Sequence, residues 1–264
     1  MRTITVIVVS FLVVACTTSP LGRQQLILLP EAQMTEMGAT AFQEIQREKP
    51  TAGPGPTTNY VQCVAEAITR QLPPSAPQQW QLSVFEDEEP NAFALPGGNM
   101  GVNTGILDIA QNPSQLATVV AHEIAHVLAD HPNERVSTQY ATQTGLDLLQ
   151  AITGAGGERQ QLFALLGMGA QVGVILPFSR KQEQEADLFG LDLMARAGFD
   201  PRESTKFWQR METRGNGSPP EFLSTHPSGE TRMSDLQARI PAAMEIYRQA
   251  RAQGVRPDCQ PPGR

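Results

Sequence analysis

Basic clusters, internal repeats and a membrane-spanning run are all missing from this chain of 264 residues. Asp and Glu number 27 against 20 Lys and Arg, a formal charge of −7. With no run of Lys or Arg to meet a phosphate backbone, a general nucleic-acid role is excluded. No segment recurs at a fixed period, so a repeat array is excluded as well. The charged fraction is 18% and the hydrophobic fraction 40%, which describes a globular chain and not a disordered one. Cysteine is scarce, at three residues. Leu162 to Phe178 carries no charge, but Gly167, Gly169, Gly173 and Gln171 argue against a lone stable span. A buried or cleft-covering helix is the expectation there, its glycines suiting a mobile cover.

What is present begins at the N-terminus. Arg2 is followed by an apolar stretch from Ile4 to Ala15 and then Cys16. That stretch is too short to cross a bilayer comfortably and reads as a signal peptide over residues 1–15. Val13-Val14-Ala15-Cys16 resembles a bacterial lipoprotein processing site, which implies cleavage before Cys16 and lipidation of that cysteine. Thr17 follows it where Asp would retain a lipoprotein at the inner membrane. The periplasmic face of the outer membrane is therefore expected, with a lipid anchor as the membrane contact. Once Cys16 is set aside, Cys63 and Cys259 remain as an even pair in an oxidising compartment, and a disulfide between them is expected.

The rest is expected to be an α+β chain, mainly helical, with a small sheet. Met34, Met37, Ala41, Phe42 and Ile45 recur at helical spacing within 31–49. Pro50 to Pro56 breaks the pattern, and helix resumes from Tyr60 to Gln71. Trp80 to Glu86 alternates as a strand does, and Asn91–Leu95, Gly97-Gly98 and Asn99–Asn103 read as strand, turn and strand. Residues 16–57 are read as anchor, helix and linker, 58–248 as the main domain, and 249–264 as a tail.

Chemistry enters at Ala121-His122-Glu123-Ile124-Ala125-His126. Leu116, Val119, Val120, Ile124, Val127 and Leu128 fall at helical spacing, with Ser114 expected as N-cap. Positions four apart share a helix face, so His122 and His126 can point ring nitrogens at one metal ion. Glu123, on the flank, can reach a water there without being a ligand. Two histidines and a glutamate in so apolar a helix are costly to bury unless paired or metal-bound. The strands just before this helix could pair an extended peptide, with Gly97, Gly98 and Gly101 permitting close approach; a plain sheet edge reads the same way.

A second motif, Glu183-Gln184-Glu185-Ala186-Asp187, lies on a helix ended by Gly198 and Pro201. Hydrolytic zinc sites use three protein ligands, and a carboxylate from a second helix completes that set. Asp187 shares the face of Glu183 and is placed to hold the outer ring N–H of a ligand histidine. Glu185 is rotated away and is the weaker candidate.

Together, His122-Glu123-x-x-His126 and Glu183-x-x-Ala186-Asp187 resemble the HtpX and CAAX-prenyl-protease family of zinc metallopeptidases, a gluzincin group. Asn91-Ala92-Phe93-Ala94, Gly97-Gly98, Ala197-Gly198-Phe199-Asp200-Pro201 and Thr225-His226-Pro227 with Arg232 also resemble it, over about residues 60–245. The lipidation signal is similar to that of a periplasmic lipoprotein branch. The resemblance implies a zincin-like fold with the sheet beside the His-Glu-x-x-His helix. It implies one Zn2+ held by His122, His126 and Glu183, Glu123 as base, Asp187 and Arg232 as supporting residues, and His226 near the scissile carbonyl.

Two roles for His226 stay open: a donor to the developing oxyanion, or a ring that occupies the open zinc position and holds the chain latent. His131, beside Pro132, is expected only as a favourable cation at a helix C-terminus. The implied activity is hydrolysis of peptide bonds in misfolded or misassembled envelope proteins. A chaperone-like outer-membrane assembly factor with a regulatory or latent zinc site, in contact with the envelope assembly machinery, is the alternative. A lipoprotein scaffold with a degenerate site is a third reading, against which the intact motif set stands.

Overall fold

A computed structural model describes residues 16–153, 177–214, 221–227 and 231–263 of the chain. The uncharged stretch that starts at Leu162 lies outside them up to residue 176, as does the expected signal peptide.

The described residues are mainly helical, with two small sheets. Strands β1 (Cys16–Thr18) and β2 (Gln24–Leu26) form an antiparallel hairpin, Cys16 opposite Leu26. Helices α1 (Glu31–Glu48) and α2 (Pro56–Thr69) follow, close to the ranges their apolar spacing predicts. Then come β3 (Gln81–Phe85), β4 (Ala92–Leu95) and β5 (Asn99–Asn103), in the order β3-β5-β4. β3 runs parallel to β5 and β4 antiparallel to it, so β4 is an edge strand. The remaining helices are α3 (Ile106–Ile109), α4 (Pro113–Leu128), α5 (His131–Thr153), α6 (Arg180–Arg196), α7 (Glu203–Thr213), α8 (Glu221–Thr225) and α9 (Arg232–Ala252). Among the described residues no helix is long and apolar enough to cross a membrane.

The core is built around α4, which is buried without a break from Gln115 to His126. It packs against α2, α6, α7 and β4, and that enclosure is why its apolar residues spread round the helix and not along one stripe. Its N-cap is Asn112, whose side chain accepts from the Gln115 N–H at 3.0 Å, with Pro113 at the first helical position. The expectation of Ser114 as cap is corrected: Ser114 lies inside the first turn, where its Oγ accepts from the Asp200 N–H at 3.1 Å. Proline suits the first helical position because the N–H it lacks would have no intrahelical partner there, so the cap is the residue before it.

Helix α6 starts with a capping box between Ser179 and Gln182. It ends at Gly198, φ +80°, after which the Phe199 N–H bonds the Met194 carbonyl at 3.0 Å. That is the left-handed helix end glycine permits. The outer segments pack onto this centre. Helix α1 lies on β4 and β5, and Cys259 near the C-terminal end is buried in the core with its Sγ 2.01 Å from that of Cys63.

The glycines of the strand pair serve internal packing, which corrects the idea that they admit a peptide. A Cβ on Gly98 would lie 2.3 Å from the Gln79 carbonyl, and one on Gly101 would lie 2.3 Å from the Phe93 ring. Their missing side chains let the sheet close on its own neighbours.

Candidate metal centre

Helices α4, α6 and α8 bring four ligand-capable side chains to one buried point. One donor atom from each of His122, His126, Glu183 and His226 lies within 4.8 Å of the others. The Nε2 atoms of His122 and His126 are 3.0 Å apart, as the four-residue spacing on one helix requires. Glu183 reaches them from α6, Oε2 at 3.4 Å from His122 Nε2 and Oε1 at 3.3 Å from His126 Nε2. His226, at the end of α8, places Nδ1 3.1 Å from Glu183 Oε1 and 3.4 Å from His122 Nε2. Phe222 stacks on the His226 ring at 4.3 Å, and Phe178 lies 4.0 Å from the His126 ring. Both aromatic rings pack directly on the imidazoles.

Each polar group is braced from behind. Asp187 Oδ1 faces His122 Nδ1 at 3.0 Å. Arg232 ties the acids together, donating from Nε to Asp187 at 2.6 Å and from Nη2 to Glu183 at 2.7 Å. Its guanidinium also stacks over Trp208 at 4.3 Å. Asp187 and Arg232 are thus beside the donor cluster, where the resemblance implies them. Glu123 lies on the other flank: its Oε2 accepts from the Ala94 N–H of edge strand β4 at 3.3 Å, and its Oε1 is 3.6 Å from His226 Nε2.

His131 is the residue that sequence reasoning misjudged. The expectation of a favourable cation at a helix C-terminus is corrected: His131 is fully buried and is the first residue of α5. Its Nδ1 lies 2.9 Å from Nδ1 of His126 and its Nε2 3.2 Å from Glu185. Asp130, at φ +53°, ends α4 and turns the chain back so that His131 faces His126. Continued helix would have put a residue five further on round another face. Burial lowers the pKa of His131 despite the opposing pull of Glu185. Arg135, half-buried with its guanidinium over Phe178 at 4.3 Å, was also missed.

The electrostatics are those of a site built for a positive charge. Burial presses the His122 imidazolium toward neutrality, but Asp187 and Glu183 outweigh it and lift its pKa to about 10. Burial drives His126 well below its ordinary value. For Glu183, burial works upward, yet the three imidazoles hold the carboxyl well below the usual range. Glu123 is pushed up by burial and by nearby Glu183, against the opposing pull of His226, His122 and the Ala94 N–H. Imidazole nitrogens in mutual contact cannot all be protonated, and with the anionic Glu183 they make a nitrogen and oxygen donor set that suits a borderline dication. Oε1 of Glu123, buried and without a hydrogen-bond partner, is placed to meet a polar group at that point.

A mainly helical domain with His-Glu-x-x-His on one helix, a glutamate facing it from another and a small sheet alongside is a zincin-like architecture. The model of peptidase family M48 matches residues 56–240, and the chain belongs to that family. It is 37% identical over 190 residues to the mitochondrial metalloendopeptidase OMA1 of Schizosaccharomyces pombe, covering 71% of this chain and 54% of the relative. Against the OMA1 of Saccharomyces cerevisiae the identity is 39% over 181 residues, 65% of this chain and 50% of the relative. Against the beta-barrel assembly-enhancing protease of Escherichia coli it is 30% over 232 residues, 85% of this chain and 47% of the relative. The chain spans about half the length of these relatives. The resemblance to HtpX and CAAX-prenyl proteases therefore holds at the level of the family, while these relatives are OMA1 and assembly-enhancing proteases.

Proposed function

We propose that the chain is a zinc-dependent metalloendopeptidase of the bacterial cell envelope, in which His122, His126 and Glu183 hold the metal and Glu123 is the base. The observation that carries this reading is the convergence of those three side chains beside Glu123 and edge strand β4. A dication held there polarises a carbonyl and acidifies a water. The chain's own residues do the rest. The edge of β4 not paired with β5 hydrogen-bonds an extended substrate backbone and lays the scissile carbonyl beside Glu123. Glu123, its pKa raised by burial, takes the proton of the attacking water and passes it to the leaving amine. Arg232 and Asp187 keep Glu183 and His122 in place.

One distance favours a second role for His226. Its Nδ1 sits among the donors, 3.1 Å from Glu183, rather than across from them. In that position it completes a four-donor set, and the chain rests latent until the α8 end moves. Once displaced, the same ring donates to the carbonyl oxygen.

Placement at the periplasmic face of the outer membrane rests on the lipidation signal at Cys16. The likeness to a beta-barrel assembly-enhancing protease supports envelope proteins as substrates and the envelope assembly machinery as a partner. An oxidised Cys63–Cys259 pair fits that compartment. A casein digestion assay on wild type, Glu123→Gln and chelator-treated protein tests the reading. Hydrolysis confined to untreated wild type supports it, and equal hydrolysis in all three overturns it. A chain that binds zinc but cleaves nothing returns the account to an assembly factor.

A further inference from the structure

Both histidines of α4 are braced on the ring nitrogen that faces away from the cluster, but by different means. His122 has Asp187, held by Arg232. His126 has His131, and behind His131 stands Glu185. Glu185 is in turn held by the N-terminal hairpin. The Leu21 N–H donates to its Oε1 at 3.2 Å and Arg23 Nε to its Oε2 at 2.9 Å. Arg23 also forks onto Glu134 of α5 at 2.5 and 2.7 Å. The hairpin is pinned further where Gln25 Nε2 donates to the Ala129 carbonyl at 2.6 Å.

The hydrogen bonds fix the protons along this line. A carboxylate only accepts, so His131 carries its hydrogen on Nε2, toward Glu185. Nδ1 of His131 then accepts across the 2.9 Å contact, and His126 donates to it from Nδ1–H. That leaves the lone pair of His126 on Nε2, the atom in the donor cluster.

We propose that His131 and Glu185 are positioning residues for His126, and that Arg23, on the hairpin following Cys16, completes the unit. The site is then assembled from both ends of the chain, Arg232 bracing one ligand and Arg23 the other. This rests on the reading of His126 as a metal ligand.

The test uses the full chain and zinc alone, with affinity measured by competition against a chromophoric chelator. Unfolding midpoints are recorded in excess chelator. His131→Phe and Glu185→Gln are expected to weaken zinc about 10–100-fold, the usual cost of losing an orienting partner. Arg23→Met lowers affinity in the same direction, Arg23→Lys, which keeps the charge but not the fork, restores part of it, and Arg23→Met adds little on top of Glu185→Gln because it acts through that carboxylate. A merely structural role would lower the unfolding midpoint and leave zinc affinity within about twofold, and that result overturns the proposal. Should His131→Phe fail to fold, the Arg23 pair decides by the same criterion. Wild type that takes up no zinc sinks the ligand reading itself.

Discussion

Gly190 of α6 lies against the backbone of His122 in α4: a Cβ built on it would sit 3.0 Å from the His122 nitrogen and 3.1 Å from the Ala121 carbonyl. The helix that carries Glu183 and the helix that carries the histidines therefore meet where one of them has no side chain. That contact sets the distance across which the carboxylate reaches the rings.

Gly190→Val should force the helices apart. Overpacking of this kind costs about 1–3 kcal/mol, and the displaced Glu183 should weaken zinc as well. Thermal unfolding and zinc titration check both. A variant with wild-type stability and wild-type zinc affinity would show that the close approach is dispensable.

Arg232 is buried, 3% exposed, and bonds two buried acids. Arg232→Met leaves both carboxylates without their cation, a loss of about 3–5 kcal/mol. Asp187→Asn keeps the shape and removes the charge, so it should spare folding more and zinc affinity less. Chemical denaturation of the two variants, beside their zinc affinities, separates the effects.

His226→Ala distinguishes the two roles of that ring. If it caps the cluster at rest, the variant opens the site and initial rates on an unstructured peptide rise. If it serves only the oxyanion, kcat falls about 10²–10³-fold with KM little changed. Steady-state kinetics read the sign directly.

Glu203 ties α7 to the start of α4. It accepts from Asn112 Nδ2 at 2.9 Å and from Gln115 Nε2 at 2.7 Å. Burial works upward on its carboxyl, but Lys206, Asn112 and Gln115 outweigh it and bring the pKa down to about 2. A depressed carboxyl pKa contributes stability in full above the unfolded value near ~4.3 and loses it as pH falls toward 2. Glu203→Gln should therefore cost about 1 kcal/mol at pH 7, given partial solvent screening. Its deficit against wild type should shrink below pH 4. A deficit independent of pH from 7 to 3, measured by urea unfolding, would contradict the assignment.

Legibility followed local periodicity. The i, i+4 geometry of His122 and His126 is a property of one helix, so it could be read before any fold was known. The helix of Glu183 and the alternation of β3 were legible for the same reason. His131 was not, because its position depends on the left-handed turn at Asp130, which no motif marks. Nor could the strand-pair glycines be read correctly, since Gln79 and Phe93 fill the space beside Gly98 and Gly101 only after the sheet folds. Asn112 as N-cap could have been found: an Asn followed by Pro at the first helical position carries both start signals.

The most direct measurement pairs metal content with peptide hydrolysis in three forms of the full chain. Wild type and Glu123→Gln should each hold one zinc per chain, with hydrolysis retained in the first and abolished in the second, while His126→Ala should lose the metal. Hydrolysis at the wild-type rate by Glu123→Gln, or full zinc retention by His126→Ala, would contradict the account.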